Sequence, residues 1–278
     1  MLTFSKMHGI GNDYIYINCF KETVTDPEKL SVFLSDVRFG VGSDGLVLIL
    51  PSEVADFRMR IFNADGSEAM MCGNATRCIG KYVYDMGMTD KTEISLETNS
   101  GIKYLTLYPD ANNKIESVKV DMGKAILVPR EIPVNSDLER FIAQPVTVDG
   151  KEYAMTCVSM GNPHAVVDSL DLEKIGPSFE HHELFPDRVN TEFVRVIDDH
   201  TLQMRVWERG SGETFACGTG TCATVVAAVL NGFCKKEEEI LVHLRGGDLR
   251  IIYHEDDTVT MIGPATYVFE GKMEYPNL

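Results

Sequence analysis

The sequence predicts an α+β protein built from two similar halves, and three observations support this prediction. Short β-like runs between turn residues outnumber helical segments, and each half contains one principal helix. Residues 59–74 and 204–219 are weak copies of each other at a constant spacing of 145, because 204 − 59 and 217 − 72 give the same number. No low-complexity linker separates the halves. We therefore predict two pseudo-symmetric domains from an internal duplication, each a mostly antiparallel or mixed sheet wrapped around a central helix.

The internal repeat is defined by matched residues in the two halves. Met59-Arg60-Ile61-Phe62 aligns with Met204-Arg205-Val206-Trp207. Each copy continues to a Cys-Gly pair, which is Cys72-Gly73 in the first half and Cys217-Gly218 in the second. Two related halves that each supply one thiol from an equivalent place suggest two thiols that face each other across one cleft.

The first half is predicted to contain strands at residues 15–19, 46–50, 57–62, 102–108 and 115–122. A first helix is expected over residues 27–34, because Asp26 is a favourable N-cap and proline is favoured at the first helical position. A second helix is expected over residues 74–86, and it ends before Gly87, which is typical of the residue after a helix.

The second half is predicted to repeat this order. Its strands are expected at residues 153–159, 165–168, 193–197, 202–207, 240–244, 249–253 and 258–262, with a helix over 219–230. We place the first domain at residues 1–123 and 266–278 and the second domain at residues 124–265. The segment after Ala265 is therefore expected to return to the first domain.

The composition limits the partners and the compartment. The 42 acidic and 26 basic residues give a formal net charge of −16. This field repels phosphate backbones and anionic membrane surfaces, so we expect no nucleic-acid partner and no membrane partner. The N-terminus lacks a signal-peptide pattern and no apolar run is long enough to cross a bilayer, which predicts a cytoplasmic protein. The seven cysteines are odd in number and irregularly spaced, which argues against a disulfide framework.

Each cysteine of the repeat is predicted to lie at the start of a helix. Unpaired backbone N–H groups and the positive end of the helix dipole favour an anion there, so we expect a lowered thiol pKa at Cys72 and Cys217. The N–H groups of Gly73-Asn74 and Gly218-Thr219 can also bind a substrate carboxylate. An ordinary buried cysteine is the alternative at either position alone, but matched positions in a repeat weaken it.

Two thiols beside a carboxylate-bearing carbon predict one reaction. One thiolate removes a proton from one face of the carbon, and the other thiol delivers a proton to the opposite face. The result is inversion of the carbon without a redox cofactor. We therefore predict an isomerase that needs no cofactor and no metal.

Six short motifs together resemble the diaminopimelate epimerase family, and they span nearly the whole chain in order. They are His8-Gly9-Ile10-Gly11-Asn12-Asp13, Met71-Cys72-Gly73-Asn74, Gly161-Asn162-Pro163-His164, Asn190-Thr191-Glu192, Glu208-Arg209-Gly210 and Ala216-Cys217-Gly218-Thr219-Gly220-Thr221. The resemblance implies a PLP-independent epimerase that interconverts LL- and meso-2,6-diaminopimelate for lysine and peptidoglycan precursor biosynthesis. It implies diaminopimelate as the small-molecule partner, and a homodimer is compatible with it.

The resemblance also implies roles for individual residues. Cys72 and Cys217 would be the catalytic pair, and His164 and Glu208 would modulate the thiol pKa values. The residues implied to bind substrate are Asn12, Asn63, Gly73, Asn74, Asn162, Asn190, Glu208, Arg209, Gly218 and Thr219. The chemistry of Glu208-Arg209 agrees with this, because a second amino-acid end needs a carboxylate for its ammonium group and a guanidinium for its carboxylate.

Two positions depart from the family pattern. Ala75 stands where members often have glycine, and this change just inside the helix should be harmless. Gly45 stands where many members have glutamine, so one substrate contact is absent.

Two alternatives are weighed against this prediction. A related racemase acts on proline, hydroxyproline or histidine, but the proline and hydroxyproline enzymes have histidine where this chain has Asn74, and they lack the Glu-Arg pair. A zinc or redox-sensing protein would use Cys72, Cys78, Cys217 and Cys222. The Cys72/Cys78 spacing exceeds that of structural zinc ligands, and Cys217/Cys222 only meets its upper edge.

Overall fold

A computed structural model describes residues 1–169 and 172–274 of the chain. The chain divides into two compact units, one formed by residues 1–120 with the segment from 263 onward, the other by residues 121–262. In the described part of the chain, each unit combines a mixed sheet with two α-helices, which confirms the predicted α+β class. No helix in that part is long and apolar enough to cross a membrane.

The first unit is a mixed sheet with helices α1 and α2. Its elements are β1 (Leu2–Gly9), β2 (Asn12–Asn18), α1 (Pro27–Ser35), β3 (Gly45–Leu50), β4 (Phe57–Asn63), β5 (Glu68–Ala69), α2 (Gly73–Asp85), β6 (Glu93–Thr98), β7 (Gly101–Pro109), the first part of β8 (Ile115–Lys124), and β18 (Thr266–Met273). The strands lie in the order β18-β1-β2-β3-β4-β6-β7-β8, and β5 pairs with the end of β4. Only the β2–β3 and β4–β6 pairs of this series are parallel.

The second unit repeats this plan. Its elements are β9 (Gln144–Val148), β10 (Lys151–Ser159), β11 (Pro163–Asp168), α3 (Leu172–Glu180), β12 (Asn190–Asp198), β13 (Thr201–Glu208), β14 (Gly212–Thr214), α4 (Gly218–Leu230), β15 (Glu239–Leu244), β16 (Gly247–Tyr253) and β17 (Thr258–Pro264). The order is β9-β10-β11-β12-β13-β15-β16-β17, with β14 on the end of β13. The parallel pairs, β11–β12 and β13–β15, occupy the same places as those of the first unit.

The central helices α2 and α4 are stabilised by tertiary packing, because most residues of each helix are buried. Both helices are 13 residues long, and each packs against strands of its own sheet. In α2, Gly80 lies against Leu107, where an added Cβ would approach the leucine side chain to 2.8 Å. The glycine therefore permits close helix–sheet packing. Helix α1 begins as predicted, because the Asp26 side chain accepts a hydrogen bond of 3.2 Å from the Lys29 backbone N–H.

The structure also contains elements that were not predicted, namely β1, β5, β6, β9, β14, β18, α3 and a short 3-10 helix at Pro129–Glu131. Helix α3 contains Gly176 and Pro177, two residues that disfavour helix interiors. Gly176 is required by packing, because a Cβ there would lie 2.4 Å from the Trp207 ring. Strand β18 pairs antiparallel with β1 inside the first unit.

The sequence repeat has the same geometry in both units. Strand β5 pairs with β4 through Ile61↔Ala69, and β14 pairs with β13 through Val206↔Thr214, each shifted by 145 residues. The Arg60–Glu68 ion pair at 2.8 Å is matched by Arg205–Glu213 at 2.8 Å. The internal duplication is therefore expressed in strand register and in side-chain pairing.

Candidate active site

Cys72 and Cys217 are the N-cap residues of α2 and α4. Their backbones are nearly identical, with φ −138° and ψ 120° at Cys72 and φ −126° and ψ 110° at Cys217. The Cys72 carbonyl accepts from the Thr76 N–H at 2.9 Å, and the Cys217 carbonyl accepts from the Thr221 N–H at 2.9 Å. A glycine follows each cysteine as the first helical residue. Backbone N–H groups at these helix starts are suited to bind an anion.

The amide side chain of Asn12 organises the surroundings of Cys72. The Cys72 thiol donates to Oδ1 of Asn12 at 3.5 Å, and Nδ2 of Asn74 donates to the same oxygen at 3.1 Å. Nδ2 of Asn12 in turn donates to Asp44 Oδ2 at 2.7 Å. Three residues predicted from the motifs thus lie in one hydrogen-bonded group within the first unit.

Arg77, which was not predicted as a site residue, supports this hydrogen-bonded group. Its guanidinium is fully buried and donates to Asn74 Oδ1 at 2.9 Å, to the Gly73 carbonyl at 3.4 Å and to the Pro264 carbonyl at 3.1 Å. Gly9 lies directly against it, because a Cβ there would be 2.9 Å from Nη2. Arg77 therefore holds the first turn of α2 in place.

Asn63 lies at the end of β4, and its contacts are those of a turn. Its Nδ2 donates to Ser67 Oγ at 3.0 Å, and its carbonyl accepts from Ser31 Oγ at 2.8 Å. Its substrate contact stays a prediction. Gly45 pairs with Asn63 across β3 and β4, and a Cβ at Gly45 would lie 2.0 Å from the Phe62 carbonyl oxygen. The departure at this position therefore suits the local backbone.

Cys217 is buried and has acidic neighbours. Its Sγ accepts from the Gly220 N–H at 3.4 Å and lies 3.5 Å from Thr219 Oγ1. Burial raises the pKa of the Cys217 thiol, and the carboxylate of Glu208 and, when it is ionised, that of Glu192 raise it further. The Thr219 hydroxyl and the Gly220 amide lower the pKa, but by less. The prediction of a lowered thiol pKa at the helix start was therefore wrong for Cys217, because burial and two acids outweigh the helix N–H groups.

His164 links two other site residues in the second unit. Its Nδ1 lies 2.7 Å from Glu192 Oε1, and its Nε2 lies 3.0 Å from Asn162 Oδ1. His164, Glu192 and Cys217 each offer a polar atom within 4.8 Å of the others. The predicted neighbourhood of His164 and Cys217 is therefore present, and it includes Glu192, a residue with no predicted role.

Asn190, Glu208 and Arg209 form the adjacent corner of the second unit. Asn190 pairs with His164 across β11 and β12, and its Oδ1 accepts from the Arg209 N–H at 2.9 Å. Arg209 Nη1 donates to the Asp187 carbonyl at 2.9 Å, and Glu208 Oε1 accepts from the Thr214 hydroxyl. An acid, a guanidinium and an amide that lie together in this way are suited to bind the ammonium and carboxylate groups of an amino acid.

Metal binding has limited support. Within residues 1–169 and 172–274, two groups have ligand atoms close enough to hold an ion: the buried His164–Glu192–Cys217 group and the exposed Asp198–Asp199–His200 group. Neither includes Cys78 or Cys222, which the zinc alternative requires.

Two α+β units with a cysteine at the start of each central helix define a fold class, and solved structures share this fold. A probable proline racemase from Agrobacterium radiobacter, solved with bound carbonate, matches with a TM-score of 0.73 at 14% identity over 99% of this chain and 94% of that chain. The model of the family described as "Diaminopimelate epimerase" matches residues 4–128 and 156–268.

Two relatives support the same family at much higher identity. Diaminopimelate epimerase of Acetivibrio thermocellus is 60% identical over 100% of both chains. Diaminopimelate epimerase of Methanococcus maripaludis is 55% identical over 98% of this chain and 100% of its own. The chain belongs to the diaminopimelate epimerase family, as its motifs predicted.

Proposed function

We propose that this chain is an isomerase that interconverts LL- and meso-2,6-diaminopimelate by proton transfer at the α-carbon, with no cofactor. Diaminopimelate epimerisation is the activity of its family and serves lysine and peptidoglycan precursor biosynthesis. The observation that carries the proposal is one cysteine at the equivalent N-cap of each unit, Cys72 and Cys217. A proline or hydroxyproline racemase is the second candidate, and it rests on fold likeness alone. A histidine racemase stays an alternative from the sequence only.

The proposed reaction uses the two sulfurs as an acid–base pair. A thiolate on one face takes the α-proton, and the electron pair of the broken C–H bond moves into the substrate carboxylate system. The thiol on the other face gives its proton to the carbon, so a new C–H bond forms with inverted configuration. The enzyme finishes with its proton on the other cysteine, and the reverse reaction restores the first state.

Backbone N–H groups at the helix starts are proposed to stabilise the reacting carboxylate. These are the groups of Gly73, Asn74, Gly218 and Thr219, and charge grows on the carboxylate oxygens as the proton leaves. In the first unit, Arg77 holds the helix start through Gly73 and Asn74. N–H donors that are fixed before the reaction need no reorganisation in the transition state.

The distal end of the substrate is proposed to bind the corner formed by Asn190, Glu208 and Arg209, with Asn12, Asn63 and Asn162 completing recognition. Glu208 would accept from the ammonium group, and Arg209 would bind the distal carboxylate. The Asn190 side chain already holds the Arg209 backbone. A substrate that lacks a second charged end would make no use of the Glu208 and Arg209 charges, and this favours diaminopimelate over proline.

The test is turnover by the purified enzyme of LL-diaminopimelate, L-proline and L-histidine, followed by chiral chromatography. We expect conversion of LL- to meso-diaminopimelate and no inversion of the other two. Inversion of proline or histidine with no action on diaminopimelate would contradict the proposal. A homodimer and a cytoplasmic location stay predictions, and light scattering of the purified enzyme tests the first of them.

A further inference from the structure

Glu192 is a fully buried acid on β12 to which the family resemblance gives no role. Its Oε1 lies 2.7 Å from Nδ1 of His164, and neither side chain has any exposed surface. Its other oxygen, Oε2, is buried without a hydrogen-bond partner. An ionised carboxylate with an unpartnered buried oxygen is costly, whereas a neutral carboxyl group is much less so. The geometry therefore favours the carboxylic acid form of Glu192.

The position of the hydrogens around His164 follows from its two contacts. Oδ1 of Asn162 lies 3.0 Å from Nε2, and a carbonyl oxygen only accepts, so Nε2 carries a hydrogen. A neutral ring then has its lone pair on Nδ1, and the short contact to Glu192 requires a hydrogen from the carboxyl group. The alternative is an ionised Glu192 beside a protonated His164 ring, and this pair has the same net charge as the neutral pair. It is less favourable because the ionised Oε2 of Glu192 is buried without a hydrogen-bond partner.

The charge of Glu192 affects the titratable groups that face it, and Cys217 is one of them. They are His164 on β11, Cys157 on β10, Glu208 on β13 and Cys217 at the start of α4. Burial raises the pKa of Glu192 and the Glu208 carboxylate raises it further, whereas His164 opposes this only when its ring is protonated. An ionised Glu192 would raise the pKa of Cys217 and oppose its thiolate. A protonated Glu192 removes one of the two acidic charges that act on this thiol.

Gly220 provides the space for the Glu192 carboxyl group. A Cβ at this position would lie 2.5 Å from Glu192 Oε1 and 3.2 Å from Cys217 Sγ. The Gly220 N–H also donates to Cys217 Sγ at 3.4 Å. The first turn of α4 is thus open on the side where the acid and the thiol approach it.

The first unit has no equivalent of this acid. Glu192 pairs with Val206, and the matched pair in the first unit is Val47 with Ile61, at the same shift of 145 residues. Val47 is buried and apolar. The internal repeat therefore does not place an acid at this position in both units. Any role of Glu192 concerns Cys217 and not Cys72.

We propose that Glu192 is a positioning residue for the acid–base work of Cys217: as a carboxylic acid it donates a hydrogen bond to Nδ1 of His164 and holds that ring neutral and oriented beside the thiol. The inference rests on the proposed function, in which Cys217 alternates between thiol and thiolate. Glu192 acts through His164 and does not touch the reacting carbon.

Two substitutions at position 192 distinguish the effect of a hydrogen-bond donor from the effect of a negative charge. Glu192→Gln keeps an N–H donor for Nδ1 and cannot ionise, whereas Glu192→Leu has no donor. We expect Glu192→Gln to keep kcat within about threefold of wild type, and Glu192→Leu to lower kcat at least about tenfold with KM within about twofold. Glu152→Leu, on the exposed side of β10, is the control and should leave both constants unchanged.

A measurement on His164 tests the proton placement without turnover. In ¹⁵N-histidine-labelled enzyme, His164 is assigned by the signal that disappears in His164→Gln. Wild type and Glu192→Gln should both show a neutral ring protonated at Nε2 from about pH 6 to 8, and Glu192→Leu should lose this fixed signature.

Three results would overturn the proposal. They are an imidazolium signature for His164 in the wild type, a loss of kcat in Glu192→Gln as large as in Glu192→Leu, and full activity in Glu192→Leu. If Glu192→Leu does not fold, the wild-type spectrum and the Glu192→Gln variant still decide the question. Failure of the proposed function differs from all of these, because the wild-type enzyme would then not convert diaminopimelate while the His164 spectrum stayed as expected.

Discussion

The two cysteine sites have the same backbone but different neighbours. Cys72 faces amides, since its thiol donates to Asn12, which also accepts from Asn74. Cys217 faces acids, since burial and the Glu208 carboxylate raise its pKa and the Glu192 side chain lies within 4.8 Å of its sulfur. Duplication therefore preserved the helix start that presents a thiol, while the side chains around each thiol diverged.

Three matched positions contribute to this difference. At the common shift of 145 residues, the first-unit residues Val47, Asn63 and Ala75 correspond to Glu192, Glu208 and Gly220. Each substitution adds an acid to the second site or makes room for one. A few changes on a conserved frame are thus sufficient to give two equivalent thiols different electrostatic surroundings.

The largest expected effect is the loss of either thiol. Cys72→Ala and Cys217→Ala should each lower kcat for diaminopimelate by at least about 10³-fold, because both directions of the reaction need an acid and a base. Steady-state conversion of LL- to meso-diaminopimelate measures this. The buried Cys234, which lies at neither helix start, provides a control, and Cys234→Ala should change kcat by less than about threefold. A single-cysteine variant that turns over at the wild-type rate would contradict the two-thiol mechanism.

An exchange of the matched helix residues should affect only the second site strongly. Gly220→Ala places a Cβ 2.5 Å from Glu192 Oε1, so the acid or the helix start must move, and kcat should fall by about 10²-fold. The matched variant Ala75→Gly in α2 should retain activity and cost about 1 kcal/mol of stability, because glycine is a weaker helix former. Equal loss of activity in both variants would show that the two helix starts are not distinguished by Glu192.

The buried guanidinium of Arg77 should dominate the stability of the first helix start. Its counterpart in the second unit is Cys222, at the same shift of 145 residues. Arg77→Ala leaves the Gly73 carbonyl, Asn74 Oδ1 and the Pro264 carbonyl without this donor, and should cost about 3 kcal/mol. Cys222→Ala should cost about 1 kcal/mol. Urea unfolding midpoints measure both, and an Arg77→Ala midpoint equal to that of Cys222→Ala would refute the assignment.

The smallest expected effect is a change in the titration of Cys217. The Glu208 carboxylate raises the pKa of this thiol, so Glu208→Gln should lower it, and the thiolate should form at lower pH than in wild type. The ¹³Cβ signal of labelled Cys217, assigned through its absence in Cys217→Ser, reports the titration. An unchanged or raised midpoint in Glu208→Gln would show that Glu208 does not act on this thiol.

The sequence was sufficient for the duplication, the two helix starts and the family. Matched residues such as Met59-Arg60 and Met204-Arg205 defined the alignment of the two halves at a shift of 145 residues. The same shift relates the β4–β5 pairing to the β13–β14 pairing. The fold class followed because local patterns and the repeat agreed. The motifs also pointed to Asn12, Asn162 and His164, and each of these residues contacts another motif residue within its own unit.

Other features depend on tertiary packing and could not be predicted. Glu192 lies on a strand that packs against both α3 and α4, so its neighbours do not alternate between polar and apolar residues, and the inward acid has no local signal. Helix α3 was missed because Gly176 and Pro177 oppose a helix locally, while packing against Trp207 favours it. Strand β9 begins with Gln144-Pro145, and proline disfavours a strand prediction.

The central claim is that one cysteine removes the proton from one face of the α-carbon and the other cysteine delivers a proton to the opposite face. The distribution of deuterium between substrate and product during early turnover tests this claim most directly. With LL-diaminopimelate in deuterated water, the first meso product should carry deuterium at the inverted carbon, while recovered substrate still carries hydrogen. Equal deuterium in substrate and product, or product that retains the original hydrogen, would indicate a single shared base and contradict the account.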